Sequence, residues 1–94
     1  MKFSLGQVVA TPGALEALAD AGQTPEFFLE MHVAGNWGDV DIEDKNANDH
    51  ALVDGGRLLS AYRTLRNVRI WIITEAVDDN GKRIATTLLK PSEY

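Results

Sequence analysis

The feature that most narrows what this chain can fold into is a change of hydrophobic period at Arg57. Ahead of it apolar residues recur at helical spacing, and after it they alternate in segments rich in Ile, Leu, Thr, Tyr and Trp. Such a chain places helices first and strands last, and each layer needs the other to bury its apolar side. Its 94 residues suffice for one core and not for two, so residues 1–94 are read as a single domain. The fold class expected is α+β: an N-terminal short strand and two or three helices packed on one face of a C-terminal antiparallel β-meander.

The helical half carries clear start and stop signals. Leu5 to Ala10 reads as a short strand. Thr11 and then Thr24 each precede a proline, the pairing of an N-cap hydroxyl with a ring that needs no N–H at the first helical position. Ala14, Leu15, Leu18 and Ala21 form the stripe of the first helix, ended by Gly22. Phe27, Phe28 and Met31 form that of the second, ended by Gly35, and these aromatics are expected in the core. Ile42 to Val53 predicts a third helix with Glu43 and Asp44 at the positive end of its dipole and a thin stripe of Ile42, Ala47, Ala51 and Leu52.

Three strands are expected at Arg57 to Leu65, Val68 to Val77 and Lys82 to Leu89. The first turn, Leu65 to Asn67, takes a left-handed Asn, and the second, Asp79 to Gly81, a left-handed Gly. Both turns preserve parity. One face then holds Leu58, Ser60, Tyr62, Thr64, Val68, Ile70, Ile72, Thr74, Ile84, Thr86 and Leu88, without a charge, and belongs under the helices. The other holds Arg57, Arg63, Arg69, Trp71, Ile73, Glu75, Arg83 and Leu89 and is basic. This register sets Arg57 opposite Glu75 and Arg63 opposite Arg69, a like-charge pair that an anion nearby would relieve.

Charge divides along the same line. Residues 1–56 hold ten acids and two bases, residues 57–94 four acids and seven bases, so a net charge of -5 conceals an acidic flank and a basic one. There is no cysteine, hence no disulfide or thiolate chemistry, and the start of the chain has one Lys and no apolar run, so a cytoplasmic protein with no membrane segment is expected.

Spacing decides between several chemistries. Asp39, Asp41, Glu43 and Asp44 suggest a calcium loop, but the sixth position is Asp44 where Gly is needed and the twelfth is His50 where Glu is needed. His32 and His50 do not define a metal site, and His32 is expected to pack near a helix C-terminus that favours its cation. No metal and no cofactor is expected. No nucleophile elbow, phosphate loop or helix-turn-helix is present, which speaks against specific duplex DNA reading. Two binding surfaces remain: the acidic stretch Asp39, Asp41, Glu43 and Asp44 with Trp37 as an anchor, or the arginine face with Trp71. A Trp37 folded back onto the third helix is the alternative to its anchor role. No catalytic residue is favoured; the alternative is a metal-independent ribonuclease resembling the barnase and RelE types in arrangement only, with Glu75 as base and Arg63, Arg69 and Arg83 on the phosphate. RNA enters as a partner only there. A homodimer through a strip of Trp71, Ile73 and Leu89 is a third possibility.

The blocks GQVVATPGALEAL, FLEMHVAGNWGD, GRLLSAYRT, WIITE and TTLLKPSEY resemble a family of small bacterial proteins borne on plasmids and other mobile elements. These are labelled plasmid-related protein or type I restriction endonuclease subunit M. A methylation subunit needs a cofactor domain far larger than this chain, so the second label implies nothing here. The family brings no established activity, so nothing catalytic carries over from it; the residues lead to a small accessory protein acting by protein binding, without catalysis, and the resemblance implies host-defence or plasmid-maintenance machinery as the partner class.

Overall fold

A computed structural model describes every residue from Met1 to Tyr94. In chain order the elements are β1 (Gln7–Ala10), α1 (Pro12–Asp20), α2 (Pro25–Val33), α3 (Ile42–Asp54), β2 (Leu58–Arg63), β3 (Arg69–Thr74) and β4 (Ala85–Leu89), followed by a 3-10 turn at Pro91–Glu93. The α+β class and the helices-first order are as expected. Thr11 and Thr24 cap α1 and α2 through their side-chain oxygens, which accept from the N–H groups of Ala14 and Phe27.

The sheet order is β1-β4-β3-β2. β2, β3 and β4 form the antiparallel meander, with Arg63 opposite Arg69 and Asn67 left-handed at φ 63° in the first turn. The sheet as a whole is mixed, not purely antiparallel, because β1 adds to β4 in parallel, Val8 beside Thr86 and Ala10 beside Leu88. A parallel neighbour needs a long crossover, and here the three helices and two strands in between supply it.

Leu58, Ser60, Tyr62, Ile70, Ile72, Thr74, Thr86 and Leu88 are buried along one face of the sheet. Ala14, Ala17 and Leu18 of α1 and Phe28 of α2 pack on Tyr62, Ile70, Ile72 and Leu88, while Trp37, Ala51 and Leu58 make a second cluster with Phe3, Val40 and Leu52. Sidedness fails at one place. Ile84 is 62% exposed and Arg83 is buried, the reverse of the expectation, because the regular ladder ends at Thr74 and Thr86 and only a bridge from Val77 to Arg83 continues it. Phe27 is also exposed, Phe28 alone filling the core from that pair.

Besides the apolar contacts of Ala51 and Leu52, one amide holds α3 to the sheet. Ile42 and Ala47 of its thin stripe face solvent, whereas the buried Asn48 accepts from the N–H of Leu59 (3.0 Å) and donates to the C=O of the same residue (2.7 Å). It acts on the outer edge of β2 as another strand would. Replacing Asn48 by Ala strands both backbone groups, an expected loss of about 2 kcal/mol in urea unfolding; a midpoint within error of the wild type would remove this role from Asn48.

Candidate binding surface

The acidic stretch is largely spent on structure. Trp37 is 4% exposed, stacks on Phe3 with ring centroids 6.1 Å apart, and donates from Nε1 to Asp49 at 3.2 Å. It is a core residue folded onto α3, so the anchor role is withdrawn. Asp39 pairs with Arg63 at 3.2 Å, and Asp41 is the N-cap of α3, accepting from Asp44 N–H at 2.8 Å. Glu43 and Asp44 stay exposed in the first turn, where the helix dipole favours them.

The ribonuclease constellation does not assemble. Arg63 and Arg69 share one end of the β2–β3 pair, while Glu75 lies just beyond Thr74 at the other, about 20 Å away along an extended strand. Arg83 is withdrawn altogether. Its Nη1 donates to the carbonyls of Gly56 (2.6 Å) and Glu75 (2.9 Å), its Nη2 to that of Ala51 (3.0 Å), and its guanidinium lies 5.8 Å from the Phe3 ring centroid. A cavity of about 390 Å³ opens beside it, lined in part by Phe3, Val77 and Asp54, but the charge at its wall is already committed to those three carbonyls. Arg63 in turn finds Asp39 and the side chain of Asn67, so its place opposite Arg69 is relieved by protein groups and requires no bound anion.

What remains on the face that no helix covers is a basic and aromatic surface. Arg57, Arg63 and Arg69 are exposed and Trp71 is half-buried. Ile73 and Leu89 are only 4% and 5% exposed, so the apolar strip proposed for dimerisation does not exist as free surface. The C-terminal turn folds back over it. Tyr94 sets its ring edge against Trp71 at 5.7 Å, and Arg57 Nη1 donates to the Tyr94 hydroxyl at 2.8 Å. Arg57 makes that bond in place of an ion pair with Glu75. The tail is secured by Glu93, whose carboxylate accepts from Thr11 Oγ1 (2.6 Å) and Lys90 N–H (2.8 Å); those bonds hold it below the usual carboxylate range. Gly13 sits under that carboxylate, where a Cβ would overlap it. Spacing gave no hint of Tyr94 or Glu93, although Pro91 shows where β4 has to stop.

A buried polar chain lies on the opposite face. His32, fully buried on α2 one turn after Phe28, has Nδ1 2.5 Å from Ser60 Oγ and Nε2 2.9 Å from Thr74 Oγ1. Thr74 continues to Thr86 (2.7 Å), which donates to the Leu5 carbonyl (2.7 Å). Counting hydrogens assigns the direction on one side: Thr86 has spent its proton on Leu5, so Thr74 donates to Thr86 and His32 Nε2–H donates to Thr74. Burial keeps the ring neutral, and Ser60 then donates to its bare Nδ1. Burial, then the positive charge of Arg83, pulls its pKa down to about 4, which corrects the expectation of a favoured cation. Phe3 and Trp37 set ring edges against it at 5.1 and 5.8 Å, closing the pair of Ser60 and His32 to any substrate. No group of three or more His, Asp or Glu residues is placed to hold a metal ion, and no helix is long and apolar enough to cross a membrane.

No protein-family model matches the chain, and comparison with curated proteins and with solved structures gives no match either.

Proposed function

We propose that this protein acts by binding, without catalysis, and that the helix-free face of its sheet docks an acidic surface of another protein. One observation carries the reading: Arg57, Arg63 and Arg69 stand out with Trp71 and Tyr94 on the one layer no helix covers, in a protein whose other flank is acidic. Arginine and aromatic side chains are the groups interfaces use most for affinity, and clustered positive charge steers an anionic partner into register. The acidic stretch around Glu43 and Asp44 supports a weaker case, since Asp39, Asp41 and Trp37 have structural duties. With the resemblance to mobile-element proteins, the partner belongs to host-defence or plasmid-maintenance machinery.

Tagged wild-type protein recovered from its host is expected to carry a partner that salt displaces. Arg69→Glu combined with Trp71→Ala weakens that capture about thirtyfold, the size of a lost hot spot, while Asp44→Lys leaves it unchanged. Folding of each variant is checked by circular dichroism. An undiminished catch from the double variant removes the sheet face from the proposal, and RNA cleavage that disappears in Glu75→Gln replaces binding with the ribonuclease alternative.

A further inference from the structure

The two edges of the sheet are treated in opposite ways. Along β2 the outward backbone groups of Leu59 and Ala61 are taken: Asn48 holds both groups of Leu59, and Ala61 pairs with the carbonyl of Trp37 and the N–H of Asp39. β1 has no such cover. Gln7 and Thr11 donate their N–H groups inward to Ile84 and Leu88 of the β4 segment, so the alternating residues Val8 and Ala10 aim N–H and C=O outward. The strand reads Gln-Val-Val-Ala, without the charge, proline or bulge that ordinarily blunts an edge, and Val8 and Val9 are 42% and 43% exposed beside an exposed Ile84.

We infer that β1 pairs with β1 of a second copy, antiparallel about a two-fold axis at Val9, joining two sheets into one of eight strands. Only pairings that set even residues against even ones satisfy outward-facing groups. The register centred on Val9 joins Val8 to Ala10 of the second copy, and Ala10 to Val8, through four N–H···O=C bonds, and needs no other residue. Val9 then faces itself as a non-hydrogen-bonded pair, with Cα atoms about 4.5 Å apart. A two-fold contact brings the same patch of two like-charged copies together, which a net charge of -5 penalises wherever that patch carries charge, and β1 is an uncharged stretch that meets its copy without repulsion. The proposal is independent of the arginine face. Four residues a side bury little area, so the association is weak and concentration-dependent.

The chain has no cysteine, so a single introduced thiol reports the register. Under mild oxidation at about 100 µM, well into the range of a weak complex, Val9→Cys is expected to form a covalent dimer at least tenfold faster than Val8→Cys. The two sites are equally exposed, but only the first lies directly across the axis at disulfide distance. Wild-type protein examined by sedimentation up to about 1 mM rises toward twice the monomer mass. Val8→Pro, which deletes an outward N–H and no internal bond, stays monomeric with an unchanged circular dichroism spectrum. Equal crosslinking of the two cysteine variants, or a monomer mass at every wild-type concentration, overturns the inference; the second result leaves the edge to a strand from another protein.

Discussion

Between pH 6.5 and 4 this protein is expected to lose about 3 kcal/mol of stability through one residue, His32. The ring is neutral in the fold, its pKa lowered from the ordinary 6.5 to about 4 by burial and by Arg83. In the unfolded chain it titrates near 6.5. Above that value neither state binds the proton and His32 contributes no pH dependence. Below it the unfolded chain takes up a proton that the folded chain refuses, so stability falls with pH until the folded ring also protonates near 4, where the effect levels off. The cost has a visible origin, since a protonated ring would place a charge in a fully buried site closed by the edges of Phe3 and Trp37 and repelled by Arg83. Carboxylates titrate over part of the same range, so the measurement is a difference. Urea midpoints of wild type and His32→Gln are compared at pH 7.5, 6, 5 and 4. Any advantage of the wild type over Gln at neutral pH should shrink by about 3 kcal/mol on acidification. Parallel curves would mean that the ring already shares its proton with solvent.

What the amino-acid pattern made legible, and what it did not, follows a physical line. Thr-Pro pairs announced the starts of α1 and α2 because capping is a local event. The two hairpins could be registered because a left-handed Asn67 and the alternation of Ile70, Ile72 and Thr74 constrain only near neighbours. β1 was recognisable as a strand, but its parallel partner was not, since that contact joins residues more than seventy apart. The polar core was the largest omission. Ser60, Thr74 and Thr86 all fell on the face assigned to the helices, three hydroxyls that must each find a partner once buried, and His32 sat on the apolar side of α2. That coincidence was readable as a network; the order of its links was not. The strip of Trp71, Ile73 and Leu89 misled for a related reason. Alternation tells which face a residue occupies, and the C-terminal turn that covers this face leaves no periodic trace.

Arg83→Met is expected to be the most damaging single substitution, at about 4 kcal/mol. An arginine on a late strand invites a reading as a phosphate ligand, yet this one closes the end of α3. Helix C-termini leave carbonyls without partners and carry partial negative charge, and the Arg83 guanidinium meets Ala51 and Gly56 at that end while also holding Glu75 at the start of the hairpin. Methionine keeps most of the volume and abandons all three acceptors. Lysine keeps the charge but offers a point instead of a fork, so Arg83→Lys should recover about half the loss. The damage spreads along the packing from Phe3, which lies over Arg83 and stacks on Trp37, so a red-shifted tryptophan emission should accompany it. Arg83 also lowers the pKa of His32, and removing it should raise the pH below which the folded ring protonates and narrow the acid-sensitive window from its lower edge. The test is therefore a double-mutant cycle between Arg83→Met and His32→Gln, measured by urea unfolding at pH 7.5 and pH 4.5. A coupling that differs between the two pH values supports one electrostatic unit spanning α2, α3 and the hairpin. Additive losses at both would reduce Arg83 to a helix cap with no influence on the buried ring.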